Sequence, residues 1–232
     1  MPTSALILIR DPKTLWFLNR GTGFVLLSLL TLSVVLGVMA SSRRLPKWWP
    51  RFVGNELHRR VALLSLSFLV VHIATAVLDS FVSISLLDSI LPFQSPYRTI
   101  WLGLGTVAVD LFIAVLITTG LRGRMTEAAW RSVHVLSYLA WALSIVHGLG
   151  TGTDSHRAWA LGTNAGCGAL VILCLVYRLL TTTDLALPIR VGLLVATFVV
   201  PLGILWWTIQ GPLAPGWSHR AGTPAPASKA AK

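Results

Sequence analysis

Acidic residues are scarce: eight Asp and Glu stand against nineteen Lys and Arg in 232 residues, and charged residues of both signs make up only 12%. A soluble domain carries about twice that share, and with 54% hydrophobic residues and a mean hydropathy of +0.73 a water-soluble core has no way to hide the apolar surface. Cysteine is nearly absent as well. Cys167 and Cys174 lie seven residues apart on one predicted helix, about 10 Å along its axis, which puts them beyond disulfide reach. No Cys-x-x-Cys-His run occurs, so covalent haem attachment is not indicated. The net charge of +11 raises the question of nucleic acid, but the cations fall between apolar runs and in the tails rather than on one basic face, which excludes that class.

Long apolar runs are what the chain has in abundance. They predict an all-α fold, a polytopic membrane bundle of six transmembrane helices: Leu15 to Ala40, Leu57 to Leu78, Ile100 to Leu121, a fourth from Trp130 towards Asp154, Trp159 to Leu180, and Val191 to Gln210. The domain plan is a tail over 1–14, the transmembrane domain over 15–211 and a disordered Pro- and Ala-rich tail over 212–232. Pro201 should kink the sixth span. The first run is too long for the apolar core of a secretory signal, which is about 7 to 15 residues. Between the second and third spans, Ser83 to Leu91 is too apolar for a free loop and too short to cross, and reads as a short interfacial helix. Gly21 and Gly23 in the first span would let a helix or a ring system approach its backbone.

Eleven cations lie on the first, third and fifth connections (Arg43, Arg44, Lys47, Arg51, Arg59, Arg60, Arg122, Arg124, Arg131, Arg178, Arg190), against two on the others (Arg98, Arg157). The positive-inside rule then makes the rich connections cytoplasmic and puts both termini outside the cell membrane.

Four histidines carry the chemistry. His58 and His72 are fourteen residues apart on the second span, and His134 and His147 thirteen apart on the fourth, roughly 20 Å in each case. Spans two and four run the same way, so the histidines pair by depth, His58 with His134 and His72 with His147. Two such pairs are the ligand set for two six-coordinate b-type haems, whose saturated iron favours electron transfer. Arg59, Arg60 and Arg131 stand where propionates at the cytoplasmic end need cations, with Arg98 or Arg157 at the other end. The alternative for any single histidine is a helix-packing residue bonded to a carbonyl. Thirteen residues leave a side chain about 140° off its starting face, so the fourth span must tilt, unwind locally or bulge, or be approached from two sides. Asp110, at the middle of the third span, either bonds a neighbouring hydroxyl or relays protons, the structural bond being favoured. His156 and His219 read as solvent histidines.

The pattern of His58, His72, His134 and His147, with the runs LHRRVALLSLSFLVVH and HGLGTGTD, resembles the ferric reductase-like transmembrane domain, the membrane part shared by ferric reductases and NADPH oxidases, in its stand-alone bacterial form. The likeness covers roughly Leu15 to Leu180. It implies that these four histidines bind two b haems and that electrons cross the membrane to an outer acceptor such as ferric iron. It departs in placing them on the second and fourth spans rather than the third and fifth. No flavin or nicotinamide domain accompanies the spans, so reductase activity requires a separate flavoprotein or quinol as donor, and the chain itself touches lipid. Two alternatives stay open: a haem-bearing relay or assembly subunit without acceptor chemistry, and a haem-free transporter or scaffold.

Overall fold

The computed structural model describes residues 12–41, 50–79, 82, 84–182 and 185–217. Among them every regular element is helical: α1 (Pro12–Ser41), α2 (Arg51–Leu78), α3 (Thr99–Gly120), α4 (Glu127–His134), α5 (Leu136–Thr151), α6 (Ala158–Thr181) and α7 (Leu187–Gln210), with 3-10 turns at Leu87–Ser89 and Arg122–Arg124. Taking α4 and α5 as one, six helices are long and apolar enough to cross a bilayer, so the chain is a multi-pass helical membrane protein. The apolar residues encircle these helices rather than forming one stripe, because lipid and protein neighbours are equally greasy. Leu63, Leu64, Val70 and Val71 of α2 and most of α7 stay exposed accordingly.

Two hairpins dominate the packing. The α1 and α2 helices lie along each other, as do α3 and α5; α1 also touches α5 and α6, and α7 leans on α6 and the end of α5. The histidine-bearing helix α2 shares no close interface with α4 or α5, which carry the other two histidines. Between helices in lipid, polar bonds and small residues hold what hydrophobicity does not. Trp141 Nε1 donates to Thr31 Oγ1 at 2.9 Å, tying the middle of α5 to the buried Thr31 of α1. Arg178 bonds Ser41 and joins α6 to the end of α1.

The helix boundaries differ from expectation in instructive places. The α2 helix begins at Arg51 rather than Leu57, because Glu56 bonds Arg59 and Arg60 at 2.7–3.0 Å and carries the helix outward through polar sequence. The fourth span breaks at Val135, directly after His134, and Tyr138 N–H reaches the Val135 carbonyl in a tightened turn. That is one of the irregularities the thirteen-residue spacing demands. The α7 helix runs through Pro201 without a break.

The interfacial helix expected at Ser83 to Leu91 does not form. Ser83 lies outside the described residues, and the rest holds only the 3-10 turn. Its cause is Asp88, whose carboxylate accepts the Ser85 N–H at 2.7 Å and hydroxyl at 2.9 Å, a local closure that competes with helix. The turn still covers the bundle: Thr106 Oγ1 on α3 donates to the Asp88 carbonyl at 2.7 Å, and the Phe93 ring lies where a Cβ on Gly103 would stand. The tail expected to be disordered from 212 instead packs at first, with Pro212 fully buried and Trp217 edge-on to Trp101 at 5.2 Å. Residues 1–11 and 218–232 of the two tails, with His219, lie outside the described residues, as do Arg43, Arg44 and Lys47.

Candidate functional site: two histidine pairs

The chain brings the four histidines together in the pairs that their depth requires. His58 and His134 have ring centres 6.1 Å apart with planes crossed at 66°; His72 and His147 are 6.4 Å apart at 87°. The first pair bridges the space between α2 and α4, the second that between α2 and α5. The first lies at the basic end of the bundle, near Arg59 and Arg131, and the second at the loop end, beside the connections after α2 and α5.

Three of the rings are oriented by one device, used three times. His72 Nδ1 bonds the Asn19 carbonyl at 3.0 Å, His58 Nδ1 the Ser33 carbonyl at 2.8 Å, and His147 Nδ1 the Trp101 carbonyl at 3.0 Å. In a helix the carbonyl of residue i is already bonded to the N–H of residue i+4, so an imidazole reaches it only where residue i+4 leaves room. Those residues are Gly23, Gly37 and Gly105. A Cβ built on Gly23 stands 3.1 Å from the His72 ring, one on Gly37 3.3 Å from His58, and one on Gly105 overlaps His147. Each Nδ1–H is thereby committed to a carbonyl acceptor, which fixes the tautomer and leaves Nε2, with its lone pair, as the ligating atom.

His134 departs from this pattern. Its Nδ1 is buried without a hydrogen-bond partner among the described residues, and its ring is stacked on Trp130 at 4.8 Å and 29°. The Arg122 guanidinium lies 4.2 Å from the Trp130 ring centre, a cation–π contact that connects Arg122 to His134 through the Trp130 ring. Arg59 and Arg60 instead bond Glu56, and Arg131 bonds Glu127 at 2.6 Å; all three are largely exposed.

The loop end is closed more tightly. Arg98, with a left-handed backbone at φ 43°, is buried and donates to the Gly150 carbonyl at 2.8 Å, so it secures the last turn of α5 three residues beyond His147. Tyr97 OH donates to the Thr151 carbonyl at 3.3 Å, and burial raises its phenol above the ordinary value. Arg20 pairs with Asp154 and stacks on Trp16 at 4.0 Å, linking α1 to the segment after α5. Trp101, whose carbonyl holds His147, stacks on Trp207 at 4.4 Å and fills the space beside Gly150 and Gly211. Arg157 and His156 are exposed. Asp110 is exposed on α3, and the structural bond expected of it is not formed among the described residues. Cys167 and Cys174 are separate free thiols.

The donor set suits haem on geometric grounds. Among the described residues no three His, Cys, Asp or Glu side chains converge. Ions held by protein alone need three or four such ligands, whereas a porphyrin supplies four nitrogens and asks the chain for two. With a metal–imidazole bond of about 2 Å, two imidazoles that held one iron between them would have ring centres roughly 6 Å apart. Both observed separations have that value. Ser33, Gly37, Trp101, Gly105 and Trp130 were not legible as site residues in the sequence; the signal was the fourteen-residue spacing of Gly23 and Gly37, which repeats that of His58 and His72.

No curated protein and no solved structure matches the chain. One family model does, over residues 14–154, which is more than half of the chain and takes in α1 to α5 with both histidine pairs. The chain therefore belongs to the family described as Domain of unknown function (DUF8596).

Proposed function

We propose that this protein is a di-haem b-type electron-transfer protein of the membrane, with His58 and His134 ligating one iron and His72 and His147 the other. The observation that carries this reading is the pair of separations, 6.1 and 6.4 Å, between rings whose helices share no close interface. Packing histidines of neighbouring helices would sit within an interface, not across a gap. The carbonyl bonds at three Nδ1 atoms support it further, since they leave Nε2 as the nitrogen able to ligate. Bound haem supplies one-electron chemistry at saturated iron; the chain's own residues orient the imidazoles, keep water from the loop end and hold the two sites roughly 20 Å apart along the helices. The asymmetry of basic residues puts the His58 and His134 end at the cytoplasm, so electrons enter there from a separate flavoprotein or quinol and leave towards an outer acceptor, with ferric iron the acceptor that the ferric reductase-like resemblance suggests.

The test is the visible spectrum and haem content of the purified protein. Two b haems per chain, reducible by dithionite but not by NADH or NADPH alone, are expected. A colourless protein, or direct stoichiometric NADPH oxidation, overturns the reading. Orientation is checked with single cysteines at two exposed positions: His156→Cys should react with an impermeant thiol reagent from outside, and Gly123→Cys only after permeabilisation.

A further inference from the structure

Among the described residues the Nδ1 of His134 has no acceptor, for a reason written on α3. On α1 the acceptor-and-glycine unit recurs after fourteen residues, Asn19 with Gly23 and then Ser33 with Gly37. On α3 it occurs once, at Trp101 with Gly105. Fourteen residues further on stand Val115 and Thr119, so a β-branched side chain fills the place of the fourth glycine, and Thr119 Oγ1 accepts the Trp130 indole N–H at 3.4 Å instead. His134 is also the last residue of α4, next to the break at Val135. Its ring is stacked on Trp130 and held by no Nδ1 hydrogen bond among the described residues.

We propose that His134 is the exchangeable ligand of its site, so that the iron it shares with His58 accepts a small neutral diatomic molecule in its place, while the site of His72 and His147 stays closed. This rests on the two-haem reading above. In the exchange the Fe–Nε2 bond to His134 breaks, a bond from the diatomic donor atom to ferrous iron forms, and the imidazole leaves neutral with its electron pair; no oxidation state changes. His147 must break its bond to the Trp101 carbonyl to leave. His134 breaks none, and on turning out it gains partners for a buried N–H, a difference worth roughly 5- to 150-fold in an equilibrium constant.

Carbon monoxide added to the dithionite-reduced, haem-loaded protein tests this. One of the two haems should take it up, and the double variant His58→Ala/His134→Ala, left with the haem of His72 and His147, should show no uptake. Trp130→Leu, which removes the stacking surface but no ligand, should speed carbon monoxide binding roughly 2- to 12-fold. A protein with two haems that takes up none, uptake that persists in the double variant, or an unchanged rate in Trp130→Leu each overturns the exchange. A protein without haem overturns the two-haem reading instead.

Discussion

The two histidine pairs differ in how much of the protein holds them. At the loop end both rings are bonded through Nδ1 to carbonyls, and the surroundings are fastened by Arg98 on Gly150, by Arg20 on Asp154 and by the Trp101, Trp207 and Trp217 cluster. At the basic end one ring of two is bonded, and the neighbouring cations spend their charge on carboxylates of their own helices. The same helices therefore build one preorganised site and one adjustable site. On the proposed function the loop-end site is where electrons leave, and fixed ligands there would keep reorganisation small. The basic-end site would be the one that meets the donor, where a looser ligand is tolerated.

Removing ligands breaks the comparison most strongly. His72→Ala and His147→Ala should each cost the loop-end haem, and His58→Ala and His134→Ala should disturb the other. Adding the second replacement within a pair should cost little more, since both act on one iron. Haem content and a redox titration of each variant give the answer. Loss of the same spectral component in His58→Ala and His147→Ala would mean crossed pairing and would end the parallel arrangement. Of the four, His134→Ala should be the mildest, because its ring is the least anchored.

Gly105→Ala comes next. The added methyl overlaps the His147 ring, and relief requires either breaking the bond to Trp101 or parting α3 from α5. Overpacking of this kind costs about 1 to 3 kcal/mol. The expected outcome of straining the α3–α5 hairpin, the most extensive contact that α5 makes, is a partial loss of the loop-end haem and a shifted midpoint potential for what remains, with the basic-end haem unchanged. A shift of both haems would show that the methyl acts by loosening the bundle rather than by displacing one ligand.

Depth and pairing were legible in the sequence because helical rise converts residue number directly into height, and the spans were legible because hydrocarbon admits few charges. Azimuth was harder to read. Gly21 and Gly23 look alike two residues apart, yet nothing lies near Gly21 while Gly23 backs His72; only the packing of α2 on α1 separates them. Arg98 looked like an anchor for a propionate, but a left-handed turn at the start of α3 sends it to the end of α5. Asp110 looked as though it needed a partner, and α3 turns it away from every described neighbour. Such outcomes depend on which helix lies beside which, and a single chain's periodicity does not hold that information.

The finest test of the comparison lies within α1, where one helix serves both pairs. Gly23 and Gly37 differ only in the site they back: an added Cβ stands 3.1 Å from His72 in the first case and 3.3 Å from His58 in the second. Both distances ask a neighbour to give by a few tenths of an ångström. At Gly23 the neighbour is bound on all sides, since Asn19 also donates its side-chain amide to the His72 carbonyl at 2.8 Å and the partner ring, His147, is itself fixed. At Gly37 the strain passes through His58 to a partner that moves. Gly23→Ala should therefore shift the midpoint potential of the loop-end haem measurably, Gly37→Ala should shift the other haem less, and Gly21→Ala, with open space around it, should shift neither. Equal shifts at Gly23 and Gly37 would mean that the missing bond at His134 gives the basic-end pair no freedom, and the distinction between a rigid and an adjustable site would then fail.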